Sequence, residues 1–276
     1  MVSLTNIYNN DNHFFNFNDL NISRFTRSEI LSFLEKRLKD RQKTYCVTLN
    51  LDIMRQAYKK FKFYETLRSA DLIFADGMPV LWLSRFTQNP IPERTAGCDI
   101  VYDLCKLSNE HGYKIFMLGA AQGVAEKAKI ELEKSMTDIQ VVGTYSPAPL
   151  ELLDEDACQN IVEMINATGA EILFVALGAP KQEEFISKYY NRLNPYIMIP
   201  CGGSIDYIAG IQNKSPQWLG KIGFEWLYRL VNDPKRLFKR YIIQDLPFLF
   251  GLILKMKLNI NILDLLTDYN MSENIK

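Results

Sequence analysis

The chain has 276 residues, 47% hydrophobic and 23% charged, enough for one large domain or two small ones; these proportions exclude collagen, low-complexity disorder and disulfide miniproteins. Thirty-two Lys and Arg balance 32 Asp and Glu, so net charge gives no reason to expect a nucleic-acid partner. Five scattered cysteines (Cys46, Cys98, Cys105, Cys158, Cys201) form no C-x-x-C pair, which excludes a zinc ribbon or thioredoxin-like site and fits a reducing cytoplasm.

In chain order, residues 1–22 are an Asn-rich, poorly defined lead without the basic start and apolar run of a signal peptide. Thr26 and Glu29 then spell a T-x-x-E capping box, which predicts an amphipathic helix to about Asp40. Six short apolar runs follow, at 44–50, 71–76, 113–119, 139–145, 171–178 and 196–203. Their continuous rather than alternating hydrophobicity suits strands buried on both faces. Helical stretches at 52–69, 97–111, 122–135, 150–168 and 180–193 separate them. The pattern predicts an α/β fold, a Rossmann-like parallel sheet flanked by helices, over 1–213.

From 214 the character changes to a helical appendage. Ser215-Pro216 reads as N-cap and N1 of a helix to about Val231, and Asp233-Pro234 opens another that Pro247 can kink. Seven basic residues here (Arg229, Lys235, Arg236, Lys239, Arg240, Lys255, Lys257) interleave with large aromatics. The apolar run 246–254 has nine residues, against the roughly twenty needed to span a bilayer. Such helices suit an anionic membrane surface; a helical pair packed on the sheet, its charges merely solvated, reads the same.

Ligands of an open parallel sheet gather beyond the carboxyl ends of its strands, so residues there are the candidates. Thr48 and Asn50 share one face of their run by period-two alternation. Asp76, in ADGMP, stands where a general base could sit, or an ordinary Asp-Gly turn. Gly119 and Gly123 flank a turn opening a helix, whose N–H groups and dipole suit a diphosphate. Their G-x-x-x-G spacing is not the dinucleotide fingerprint, and a tight turn alone would also use them. Lys181 and Gln182 start the helix after 171–178, and Asp206 can bond ribose hydroxyls or cap a short helix. Asp154-Glu155-Asp156 imitates the D-x-D of metal-dependent sugar transferases but opens a helix, where acids complement the dipole. No metal or other cofactor is expected. Neither His13 nor His111 has a catalytic setting.

The segments TLN, ADGMPV, ER-x-x-G-x-D (Glu93 to Asp99), GAPKQE and GGSIDYIAG, followed by SPQW and the basic, aromatic tail, together resemble the WecG/TagA/CpsF family of bacterial glycosyltransferases, from about Thr44 to Arg240. The resemblance implies inverting transfer of a hexose, N-acetylmannosamine-like or other, from a UDP-sugar donor. The acceptor would be lipid-linked, a polyprenyl-diphosphate sugar of cell-wall, capsule or exopolysaccharide synthesis. It implies a cytoplasmic protein lying peripherally on the inner face of the plasma membrane, and leaves a homo-oligomer open. Asp76 would be the catalytic base, Thr48, Asn50, Arg94 and Gln182 further active-site residues, and Asp206 a nucleotide-side residue. Arg229, Arg236, Lys239 and Arg240 would belong to an appendage that closes over the site and meets lipid diphosphate. Lys239 stands where the family pattern has an arginine, and lysine lacks arginine's bidentate fork. Two other functions fit parts of the chain. A non-catalytic, membrane-peripheral nucleotide-binding scaffold suits the tail equally. A nicotinamide-dependent oxidoreductase would use LGAAQG, against the spacing of its glycines and the want of a catalytic histidine.

Overall fold

The computed structural model describes residues 13–17, 19–216, 219 and 223–257, without the side chain of Arg236. The lead before His13, Gln217 and Trp218 of SPQW, and the chain beyond Lys257 lie outside the described residues.

All six apolar runs are strands: β3 (Thr44–Leu49), β4 (Leu72–Ala75), β5 (Lys114–Gly119), β6 (Gln140–Tyr145), β7 (Ile172–Ala176) and β8 (Ile197–Pro200). Two more precede them. Part of the lead expected to lack definition forms an antiparallel hairpin of β1 (Phe14–Phe17) and β2 (Leu20–Ser23), and β2 joins β4. Phe15, Leu20 and Ile22 anchor it in the core, an alternation diluted in the sequence by the surrounding asparagines. The sheet order is β1-β2-β4-β3-β8-β7-β5-β6, parallel apart from the hairpin.

Side chains alternate between two cores. Tyr45, Val47 and Leu49 enter one, with Phe116, Leu173 and Met198. Cys46, Phe74, Met117, Phe174 and Ile199 enter the other. Both faces are covered, which is why the runs are continuously apolar. The helices are α1 (Arg27–Lys39), α2 (Leu51–Lys59), α3 (Phe61–Arg68), α4 (Met78–Ser84), α5 (Gly97–His111), α6 (Val124–Ser135), α7 (Glu155–Ala167), α8 (Lys181–Tyr189) and α9 (Ser204–Ile208). The capping box forms: Thr26 accepts from the Glu29 N–H, and Glu29 accepts from the Thr26 N–H at 2.8 Å. Asp154 caps α7 by accepting from the Asp156 and Ala157 N–H groups, so this acidic run serves a helix start. The stretch 52–69 is two helices rather than one, broken at Lys60, whose backbone is extended.

The tail holds α10 (Glu225–Asn232), α11 (Pro234–Phe238), a π-helical segment Lys239–Asp245 and α12 (Leu246–Lys257). The expected single helix from Pro234 is therefore interrupted by a wide turn just before Pro247. Proline has no N–H to donate to the preceding turn, and such insertions absorb the mismatch. Leu249 and Leu252 are buried in the same core cluster as Val80 and Leu81 of α4.

Candidate active site

From β3 the chain steps to neighbouring β4, then crosses to β5 beyond β8 and β7. The order thus reverses around β3, and the crevice belongs beyond its carboxyl end. Asn50 follows β3 and caps α2, accepting from the Ile53 N–H at 3.1 Å. Asp76 follows β4, its N–H donating to the Leu49 carbonyl at 2.9 Å. Its Oδ1 accepts from the N–H of Gly97, the first residue of α5, at 2.9 Å. One carboxylate oxygen is thereby anchored on a helix start, leaving Oδ2 for another partner.

Burial raises the Asp76 carboxyl above the usual aspartate value, and Glu225 adds to this; Arg229, the Gly97 N–H and Arg94 oppose it without cancelling it. The surrounding charges form a clamp. Arg94 donates to Glu225 Oε2 at 2.5 Å, and Arg229 pairs with Glu225 Oε1. Burial pushes the Glu225 carboxyl up, but the two arginines outweigh it and hold it below its ordinary value. The Arg229 guanidinium lies 5.7 Å from the Tyr207 ring centroid, a cation–π contact that fixes it further.

Asn50, Asp76, Arg94, Arg229 and Arg240 converge on one cavity of about 200 Å³, walled by Trp82, Trp226 and Tyr241. A groove of about 850 Å³ adjoins it, sharing Met78, Arg94 and Glu225 and running past Cys98, Tyr207 and Lys214. Three guanidiniums and four carboxylates (Asp52, Asp76, Glu225 and Asp245) line the cavity, and each arginine is paired to a carboxylate other than Asp76; such a lining suits a ligand that brings both phosphate charge and a hydroxyl.

Other expected site residues lie outside this cavity. Thr48 is buried, donates to the Pro200 carbonyl at 3.4 Å, and packs behind Gly97. Gln182 is buried: Nε2 donates to Glu183 Oε1 at 2.9 Å, and Oε1 accepts from the Gly202 N–H at 3.2 Å. Both therefore shape the floor and the loop after β8. Gly119 and Gly123 adopt φ values of 102° and 80°. A Cβ at Gly119 would stand 2.5 Å from the Ala176 carbonyl oxygen, so this turn needs glycine for strand approach, while Gly123 caps α6 with open space around it. Asp206 is half-buried in the first turn of α9. These three and Gln182 line neither cavity. Lys239 is exposed and also lines neither, and the Arg236 side chain lies outside the described residues.

Glu225, Tyr207, Asp52 and Asp245 escaped the sequence reading. A signal existed for Glu225, four residues before Arg229 on a helix, the spacing of a same-face ion pair. Among the described residues no group of three or more His, Cys, Asp or Glu could hold a metal ion.

A family model described as the glycosyl transferase WecG/TagA/CpsF family matches residues 15–261. The chain belongs to this family of glycosyltransferases. Among its relatives is an N-acetylglucosaminyldiphosphoundecaprenol N-acetyl-beta-D-mannosaminyltransferase of Bacillus subtilis strain 168, 31% identical over 76% of this chain and 80% of the relative. Proteins of the same name from Bacillus spizizenii and Staphylococcus aureus strain MW2 are 31% and 29% identical, each over 77% of this chain and covering 82% and 80% of the relatives. Membership makes the chain an enzyme of glycosyl transfer and displaces the scaffold and oxidoreductase readings. It also extends the similarity on both sides of the span from Thr44 to Arg240, taking in the hairpin and α12.

Proposed function

We propose that the enzyme moves a sugar, N-acetylmannosamine or a close analogue, from a UDP-sugar to a polyprenyl-diphosphate-linked sugar, in the assembly of a cell-wall polymer such as teichoic acid. The observation that carries this reading is Asp76, anchored through Oδ1 and facing a cavity with three arginines. Burial raises its carboxyl above the usual aspartate value, which makes the carboxylate a stronger base. Oδ2 takes the proton of the acceptor hydroxyl as that oxygen bonds to the donor's anomeric carbon. The bond from that carbon to UDP breaks on the opposite face, UDP leaves with the electron pair, and configuration inverts. Arg94, Arg229 and Arg240 stabilise the phosphate charges, the part that preorganised cations play in a transition state. Asp206 and the Gly119–Gly123 turn, at the carboxyl ends of β8 and β5, take the nucleotide side. Thr48 and Gln182 act by holding Gly97 and Gly202.

The tail's physical chemistry supports attachment to the inner face of the plasma membrane. In α12, Leu249, Leu252, Ile253 and Met256 pack on the core at i, i+3, i+4, i+7 spacing. Leu246, Phe250 and Leu254, at i, i+4, i+8, are exposed, Phe250 by 65%. A helix apolar on both faces, with one face uncovered and Lys255 and Lys257 at its end, suits an anionic interface. Among the described residues no helix is long and apolar enough to cross a membrane.

The test is turnover of UDP-N-acetylmannosamine with a short-chain prenyl-diphosphate N-acetylglucosamine in excess EDTA. Wild-type product is expected, with Asp76→Asn slower by roughly 10²-fold or more, the scale of a lost general base, while UDP binding persists. Near-normal turnover by Asp76→Asn removes it as the base, and activity dependent on added Mg²⁺ overturns the metal-free scheme.

A further inference from the structure

Four charged side chains join the tail to α2 beside the cavity. Arg55 is buried; its Nε donates to Asp245 Oδ1 at 2.8 Å, and its Nη2 donates to Asp52 Oδ1. The other oxygens of the same carboxylates face Arg240: Asp52 Oδ2 lies 3.4 Å from its Nη2, and Asp245 Oδ2 lies 3.6 Å from its Nε. Asp52 Oδ2 also accepts from Gln56 Nε2 at 3.0 Å. Two carboxylates are thus shared between two guanidiniums, but unequally. Arg55 holds them by hydrogen bonds, whereas Arg240 is held at ion-pair distance, and its buried Nε–H donates no hydrogen bond among the described residues. Arg240, Asp52 and Asp245 line the cavity that Asp76 faces, and Arg55 does not.

The backbone explains how two tail residues reach one place. Residues five apart on an α-helix point about 140° away from each other, at 3.6 residues per turn. Arg240 and Asp245 are five apart within the π-helical segment, whose i→i+5 hydrogen bonding stacks such positions on one face. The wide turn before Pro247 therefore aligns both charges with α2.

We propose that Arg55 and Asp245 are positioning residues: with Asp52 they aim Arg240 at an anionic diphosphate in the Asp76 cavity, while leaving its terminal Nη donors for that ligand. This rests on the reading that the cavity takes a diphosphate-bearing acceptor. It adds that Arg240's contribution depends on Asp245, a carboxylate that would by itself repel such a ligand.

The experiment is calorimetric titration of the full-length protein with geranyl diphosphate for wild type, Arg240→Ala, Asp245→Asn and the double variant. Each single variant is expected to weaken binding by about tenfold, the value of one charge-assisted hydrogen bond. The double variant should be no weaker than Arg240→Ala alone, because residues acting through one group are not additive. Asp245→Asn leaves Arg55 short of a partner, which can unfold the tail. Arg55→Met with Asp245→Leu removes both charges while retaining apolar contact, and it should show the same loss as Asp245→Asn without a fall in melting temperature. Additive losses, or full affinity in the apolar pair, overturn the positioning role. Absence of binding in the folded wild type instead overturns the diphosphate reading beneath it, and the proposal with it.

Discussion

Gly97→Ala tests how Asp76, the proposed base, is held. Gly97 has no positive φ, so its backbone accepts alanine, and at a helix start the exchange would ordinarily stabilise by up to about 1 kcal/mol. Here the added Cβ would stand 2.9 Å from Thr48 Cγ2 and 3.2 Å from Thr48 Cβ. Thr48 cannot yield easily: it is buried, β-branched and bonded to the Pro200 carbonyl. Overpacking of this kind costs about 1–3 kcal/mol, so the sign reverses and a net loss of about 1–2 kcal/mol is expected. Relief by shifting α5 would pull the Gly97 N–H from Asp76 Oδ1, a charge-assisted bond worth about 1.5–3 kcal/mol, and turnover should fall at least tenfold. Thr48→Ser deletes the offending methyl and keeps the hydroxyl, so the double variant should recover most of both losses. Urea denaturation and turnover of the four proteins in this cycle provide the assay. A Gly97→Ala protein as stable and active as wild type would refute the close approach, and with it the account of Thr48 as packing support.

Three further outcomes follow from the charges and the tail. Glu225 helps raise Asp76, so Glu225→Gln should move the acidic limb of the kcat/KM profile to lower pH; a limb that stays or rises shows that Asp76 does not own it. Burial raises Glu183 from about 4.5 to about 7, and among the described residues its Oε2 lacks a hydrogen-bond partner. The raised carboxyl stabilises the fold fully below pH ~4.5, where both states bind the proton, and this is lost as pH rises to about 7, by about 3 kcal/mol. Glu183→Gln should therefore flatten the decline of melting temperature over that window relative to wild type; an unchanged slope refutes the assignment. Phe250→Ser with Leu254→Ser should weaken sedimentation with anionic vesicles while leaving the melting temperature unchanged, since both side chains are exposed, and wild-type attachment should fall with salt. Equal attachment of the variant assigns membrane contact elsewhere.

What was legible in the sequence followed from local periodicity. The six core strands bury both faces, so each announced itself as an apolar run, and strand ends in a parallel sheet point to one edge without further information. Asp76, Asn50 and Arg94 could be nominated from that rule and from motifs. The hairpin at 14–23 was hidden because its buried apolar residues, Phe15, Leu20 and Ile22, stand among asparagines that read as a poorly defined lead. Thr48 and Gln182 were visible as polar residues near the edge, yet their direction depends on Gly97 and Gly202, which arrive from other segments.

The charge lock formed by Arg55, Asp52, Asp245 and Arg240 had no local signature in the sequence. Arg55 and Asp245 lie 190 residues apart, and neither is marked by its type as buried: Arg55 is a charged residue between Met54 and Gln56 of α2, and Asp245 precedes an apolar helix as any capping acid would. The apolar run and Pro247 were evident, but they argued for a kink, not for the π-helical phase that brings Arg240 and Asp245 to one face. A shift of one hydrogen-bond step in the backbone decides which side chains share a surface, and it is invisible to a 3.6-residue pattern. Deleting Ile242 would return the segment to α-helical phase and carry Arg240 about 100° around the axis. The tail's apolar contacts at Leu249 and Leu252 would then compete with the lock for register, so the site's charge geometry is set by the tail's packing as much as by its composition.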